Sequence, residues 1–171
     1  MNKFGFISLI LTFVLFFLQF IPLGFYFQFQ NPYVNSYVRI PIQLISFQNN
    51  HLFFLGVMTN GVFQTWFEVN LLTGVLFIVL MSLAAIVVLV GFWKENKTGK
   101  KLILVNFIVL LTILLYLIIG IPMLSQEIFG TQIDYLDIFI YLNYGFYILL
   151  LNLIFAAISY WKHPIELKGG A

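Results

Sequence analysis

IVVLVGFWKENKTGKKLILVNFIV, residues 86–109, decides the fold of this chain. Two uncharged apolar runs meet across the short polar segment KENKTGKK (94–101), which carries four of the seven lysines. A run too apolar for water, a brief basic turn and a second such run describe two antiparallel membrane helices joined on one side of a bilayer. Followed outward, the first run reaches back to Val69 and the second on to Leu124. Residues 4–25 and 135–161 have the same character. Each of the four stretches exceeds the roughly 20 apolar residues that cross about 30 Å of hydrocarbon, so each is read as a transmembrane helix.

Composition agrees with that reading. The chain has 171 residues, of which 62% are hydrophobic and only 8% charged, against roughly 25% charged in an average soluble domain. The charges are sorted. All seven lysines (Lys3, Lys94, Lys97, Lys100, Lys101, Lys162, Lys168), with Glu95 and Glu166, fall at the start, in the 94–101 turn or in the tail 162–171. Arg39 and the carboxylates Glu68, Glu127, Asp134 and Asp137 fall in the alternate segments 26–68 and 125–134 or beside them. Basic residues near span ends are retained on the cytoplasmic side. The expected topology is a multi-pass protein of the cell membrane with both termini in the cytoplasm and 26–68 and 125–134 outside. Lys3 followed by an apolar run also resembles the opening of a signal peptide, but no small-residue cleavage site follows, the first alanine being Ala84. An uncleaved first helix is the preferred reading. Trp93 and Trp161, next to Lys94 and Lys162, are placed as interfacial anchors.

The outer segment 26–68 has the period of strands. Phenylalanine alternates with glutamine in Phe27-Gln28-Phe29-Gln30; Val38, Ile40, Ile42 and Leu44 alternate with Arg39, Pro41 and Gln43; the phase slips by one residue at Ile45. Such a slip marks a bulge or a strand break. Asn60-Gly61 between two runs of β-forming residues signals a two-residue hairpin. A small antiparallel sheet of three to five strands is therefore expected on the outer ends of the helices, with Pro32 and Pro41 at a turn and at an edge or bulge. Its aromatic side chains Phe53, Phe54, Phe63, Trp66 and Phe67 exceed what one small sheet can bury. They are expected to form an interaction surface toward lipid headgroups, a second copy or another membrane protein.

Chemistry is sparse. The spans carry no ionisable residue in their central portions, where one would signal transport or catalysis. Cysteine is absent, which excludes disulfides and thiolate sites. His51 and His163 fall on opposite sides of the expected membrane, and no Ser/His/Asp set, phosphate loop or zinc motif is visible. No enzymatic activity, catalytic residue or cofactor is expected, and the modest positive charge suits anionic lipid rather than nucleic acid. Glu127, Asp134 and Asp137, alone or with Glu68, are weak candidates for a cation site: Asp134 and Asp137 would share a face at the start of the fourth helix, where helix capping and solvation are the preferred explanation. Gln19, Asn106, Asn143 and Asn152 are polar groups placed to hydrogen-bond between helices. Small residues at Ser82, Ala84 and Ala85, and again at Ala156, Ala157 and Ser159, allow close helix approach.

Four spans, both termini inside, a long strand-patterned first outer loop, a short basic inner turn and a shorter second outer loop together resemble the claudin and peripheral-myelin-protein-like tetraspan superfamily. The family's Gly-Leu-Trp triplet, followed by two cysteines on a hairpin, has as its nearest counterpart Gly56-Val57-Met58, the Asn60-Gly61 hairpin and Trp66; the triplet's tryptophan and both cysteines are missing. The resemblance implies a four-helix transmembrane bundle with a small antiparallel β-sheet formed by the first extracellular loop, and an outer sheet that mediates adhesion or assembly. Two other classes stay open: an accessory subunit of a larger membrane enzyme or electron-transfer complex, and a small channel or transporter.

Overall fold

The computed structural model describes residues 2–20, 27–31, 36–40, 43–60 and 62–164. It is mostly helical. Helix α1 (Lys3–Phe20) is followed by a hairpin of β1 (Phe27–Asn31) and β2 (Ser36–Ile40), and then by a meander of β3 (Ile45–Phe47), β4 (Asn50–Leu52), β5 (Gly56–Thr59) and β6 (Val62–Thr65). A single helical turn, α2 (Trp66–Val69), leads into α3 (Leu71–Trp93). Helix α4 (Lys97–Leu115) runs through a π turn at Tyr116–Gly120 into α5 (Ile121–Phe129), and α6 (Tyr144–Trp161) completes the helices. Pro32, Pro41, the end of the first expected span and residues 165–171 of the tail lie outside the described residues.

Among the described residues three helices are long and apolar enough to cross a membrane: Leu71–Trp93, the continuous Lys97–Phe129 and Tyr144–Trp161. Apolar side chains cover their outward faces as well as their inner ones; Leu72, Val79, Ile86, Ile108, Ile119 and Ile154 all point away from the protein. A helix apolar all round has no water-facing side, and such a surface is stable against hydrocarbon. Helix α1 packs on α3 and α6, and α4 packs on the same two helices. All the lysines among the described residues gather where α3, α4 and α6 have their basic ends; the sheet sits at the other end.

Helix boundaries reflect local chemistry. Asn70, Asn96 and Asn143 cap α3, α4 and α6, each accepting a backbone N–H through its side-chain oxygen. Asn143 is thus a cap and not an interhelical polar group. Helix α4 begins at Lys97, earlier than the expected 102, because the Asn96 cap lets the lysines of the turn form its first turn. It also continues past the expected end at 124. Pro122 has no N–H, and the π turn before it, closed by Ile121 N–H to the Tyr116 carbonyl, absorbs the break. The resulting 33-residue helix is about 50 Å long at 1.5 Å per residue.

The fourth span differs most from the expectation. Residues 135–143 are not helical in the α sense: Asp137–Ile140 form a 3-10 turn, and the chain then runs extended along β3. Ile45 bridges Leu142, the Ser46 amide donates to the Tyr141 carbonyl at 2.8 Å, and the Asn143 and Gly145 amides donate to the Leu44 and Gln43 carbonyls. A side chain on Gly145 would stand 2.8 Å from the Gln43 carbonyl oxygen, so only glycine permits this approach. Covering β3 on this side explains the phase slip at Ile45: Leu44 and Ile45 are both fully buried, where simple alternation would expose one.

The four-stranded sheet is an antiparallel meander in the order β3-β4-β5-β6. Thr59 pairs with Val62, so the Asn60-Gly61 loop has two residues, and Asn60 takes a positive φ of 51°. A second tight turn, Gln48-Asn49, joins β3 to β4, with Gln48 at φ 53°. The sheet is fastened to the helices through Phe77. Its buried ring makes edge contacts with Phe54, Trp66 and Tyr116 at centroid distances of 5.3, 5.8 and 5.5 Å. The Trp66 indole N–H donates to the Phe53 carbonyl at 2.9 Å, and Tyr116 and Thr73 hydroxyls meet at 2.6 Å.

Candidate functional site

The aromatic residues expected at the outer surface divide into two groups. Phe53, Phe54 and Trp66 are buried, so they are internal anchors and not an interaction surface. The reason lies in α2 and α3: α2 packs on β5, β6 and α3, and Phe77 gives the aromatic excess a partner inside the chain. Phe63 is half-buried against Phe53, with ring centroids 6.1 Å apart. Only Phe67, 58% exposed, faces outward freely, joined by Val62 at 64%.

The two sheet edges are unlike. Strand β3 is sheltered by residues 141–143, whereas among the described residues β6 has a neighbour only in β5. Strand β6 (VFQT) has neither lysine nor proline, the usual protections of a free edge. At the opposite side of the sheet, the 3-10 turn presents Leu136 (82% exposed), Phe139 and Ile140 (76%). The expected fourth span, 135–161, includes these residues, so the apolar pattern alone gives no sign of this crest. On α3, Leu71, Leu72, Val75 and Val79 line an open apolar groove of about 710 Å³ that reaches Thr112 of α4.

The acidic candidates are not brought together into a cation site. Glu127, Asp134 and Asp137 are all exposed. Glu127 accepts from the Asn70 side-chain amide at 3.0 Å, and the Asp134 carbonyl accepts the Asp137 and Ile138 amides to build the 3-10 turn. Asp134 and Asp137 do not open the fourth helix, which starts at Tyr144. Among the described residues no three His, Cys, Asp or Glu side chains could hold a metal ion. Glu68 accepts from the Thr65 amide at 2.9 Å and serves the α2 turn.

One pairing was invisible in the sequence. Ser46 and His51 are cross-strand partners, and the hydroxyl lies 2.9 Å from the imidazole Nδ1. Burial lowers the His51 pKa, which keeps the ring neutral. Ser46 also borders a depression of about 360 Å³ lined by Tyr141, Asn143, Tyr144 and Tyr147. A nucleophilic serine needs donors for an oxyanion, and here the nearby amides are committed: Ser46 to Tyr141, Asn143 to Leu44, Gly145 to Gln43 and Tyr144 to the Asn143 side chain. The pair is a cross-strand hydrogen bond, with no catalytic machinery around it among the described residues.

Within the helices, Asn152 and Asn106 do what polar groups in spans are expected to do. The Ser8 hydroxyl donates to Asn152 Oδ1 at 2.6 Å, the Asn152 amide donates to Thr12 Oγ1 at 2.9 Å, and the Asn106 amide donates to Ser8 Oγ at 3.2 Å. All four side chains are fully buried, and Asn106 Oδ1 has no hydrogen-bond partner. The network joins α1, α4 and α6 about 13 Å in from the lysine ends of α4 and α6, nine residues at 1.5 Å each. Interhelical bonds of this type contribute about 0.6–2 kcal/mol each. Gln19 lies among residues whose side chains are outside the described set.

No family model, curated protein or solved structure matches this chain. What it does is therefore read from these surfaces alone. The unpaired β6 edge and the exposed Val62, Phe67, Leu136 and Ile140 are features that the interior of the chain does not satisfy.

Proposed function

We propose that this chain is a four-span membrane protein, with α1, α3, α4–α5 and α6 as a transmembrane bundle and both termini in the cytoplasm, whose outer sheet associates with a second copy or another membrane protein. The single observation behind the reading is the β6 edge: an uncharged strand whose outer backbone groups are unpaired among the described residues, with Val62 exposed, standing at the end of apolar helices that suit a bilayer. Edge strands of this kind recruit a further strand by main-chain hydrogen bonding, with alternate side chains giving specificity. Phe67 beside it supplies apolar area. The sorting of lysines to one end and carboxylates to the other supports the orientation. In this arrangement the protein resembles claudin-like tetraspans, with the assembly role falling to β6 rather than to the buried aromatic residues.

The test is co-purification of two differently tagged copies, and of any stable partner, from membranes in mild detergent. The double variant Val62→Lys, Phe67→Lys is expected to abolish co-purification while insertion remains normal. A defined hetero-complex would point to a subunit role. Undiminished assembly of the double variant would refute the β6 reading.

A further inference from the structure

At the lysine end, three separate parts of the chain converge on Asn2. Its backbone amide donates to the Phe92 carbonyl in the last turn of α3 at 3.3 Å. Its side-chain amide donates both to the Ser159 carbonyl of α6 at 2.8 Å and to His163 Nδ1 at 3.1 Å. The other imidazole nitrogen of His163 lies 2.9 Å from the Lys94 carbonyl in the α3–α4 turn. Asn2 and His163 are both buried. The approach is close: a side chain on Gly5 would stand 2.8 Å from Phe92 Cβ and 3.0 Å from Ser159 Oγ.

Only one form of the imidazole satisfies all these partners. With its proton on Nε2, His163 donates to the Lys94 carbonyl and accepts through the Nδ1 lone pair from Asn2. The Asn2 amide cannot turn to accommodate a second proton. Its oxygen already accepts the Gly5 amide at 3.2 Å, and its nitrogen already donates to Ser159. A proton on Nδ1 would therefore face an N–H group, and the bond would be lost.

We propose that Asn2, His163 and the Lys94 carbonyl form a proton-operated latch, closed while His163 is neutral, that ties both ends of the helical chain to the α3–α4 turn.

The surroundings oppose protonation in the closed state. Burial lowers the His163 pKa below its ordinary 6.5; hydrogen bonding to the Lys94 and Asn96 backbones raises it in part, and the charges of Lys100 and the N-terminal amine lower it again. Lys100 is held nearby with its ammonium 4.8 Å from the Tyr160 ring centroid, and Lys162 stands 5.2 Å from that of Phe4. The other charged groups of the elements that meet here are Lys3 on α1, and Lys94, Glu95 and Lys97 on the turn. The open state binds the proton more readily than the closed one. The latch therefore strengthens as pH rises and is lost as pH falls through and below the ordinary histidine range. A drop in pH on the lysine side would break the Asn2–His163 bond and so loosen the start of α1 against the end of α6 and the α3–α4 turn.

The full chain has no cysteine, so Lys3→Cys and Thr98→Cys supply the only thiols for a pair of spin labels in nanodiscs. The distance distribution between them is expected to be narrow at about pH 7.5 and broad at about pH 5, on either side of the free histidine pKa. His163→Gln, neutral and able both to donate and to accept, is expected to stay narrow at both. Asn2→Asp is expected to reverse the response, because a carboxylate accepts from the doubly protonated ring. His51→Gln, at the far end, is expected to respond like the parent. A parent distribution that does not change with pH, or a response kept in His163→Gln, would overturn the latch. If His163→Gln fails to insert, Asn2→Asp decides, and a response of the parent's sign there overturns it equally.

Discussion

Removing the Phe77 ring should separate the sheet from the helices more than it disturbs the helices themselves. Phe77 is fully buried and stands between Phe54 of the sheet segment, Trp66 of α2 and Tyr116 at the π turn. Replacing a buried phenylalanine by alanine costs about 3–5 kcal/mol, the spread reflecting how far the site can collapse. Three edge contacts, each worth about 0.5–1.5 kcal/mol beyond area burial, place Phe77→Ala toward the upper part of that range. Collapse is restrained on one side as well, because α2 and α3 are already in contact where Gly74 meets Trp66. The assay is reversible unfolding in mixed micelles followed by tryptophan fluorescence. Trp93 and Trp161 are exposed at the other end, so replacing both with phenylalanine leaves Trp66 as the reporter. The expected result is early loss of the Trp66 signal with helical circular dichroism retained. Leu72→Ala, on the outward face of α3, serves as the control and should cost far less. Equal destabilisation by the two substitutions would refute the anchoring role of Phe77.

Asn152→Leu removes the acceptor of the Ser8 hydroxyl and the donor to Thr12 Oγ1 and should destabilise the bundle by about 1–3 kcal/mol; Asn106→Leu, whose carbonyl oxygen already lacks a partner, should cost less in the same unfolding assay. Gly145→Ala drives a methyl against the Gln43 carbonyl and should loosen the 141–145 segment from β3, seen as faster amide exchange at Ser46 and Asn143. Single cysteines at Thr98 and Asp134 should be labelled by an impermeant thiol reagent from opposite sides of sealed vesicles, Asp134 from outside; labelling of both from one side would contradict the proposed crossing. Removing divalent cations should leave the thermal midpoint unchanged, since Glu127, Asp134 and Asp137 make no common site, and a fall would show that they do.

Much of the architecture was legible because it follows from period and polarity. The apolar runs around KENKTGKK gave α3 almost to the residue, and Asn60-Gly61 located its hairpin, since few other dipeptides tolerate that turn. The Gln48-Asn49 turn escaped notice because neither residue is a strong turn signal; its geometry is imposed by the pairing of Phe47 with Asn50. The start of α6 was hidden for a related reason. Residues 135–143 are as apolar as a helix, yet they form a 3-10 turn at Asp137–Ile140 and then a bridge to β3, a partner distant in sequence. The direction of the aromatic side chains was illegible too. Alternation shows that two faces differ, and it does not show that α3 would supply Phe77 to one of them. The Ser46–His51 pair and the Asn2–His163 contact depend on register and on chain ends meeting, neither of which leaves a local trace.

The continuous helical run from Lys97 to Phe129 makes α4–α5 the element that reaches from one end of the molecule to the other. Its first turn lies beside the groups that hold Asn2 and His163, and its last residue, Phe129, packs 6.3 Å from the Phe47 ring in the sheet. Over about 50 Å of helix, a tilt of about 5° at one end displaces the other by about 4 Å. That is close to the spacing between neighbouring strands, about 4.8 Å. A change of tilt at the basic end that small would thus be a strand-sized displacement where α5 meets β3.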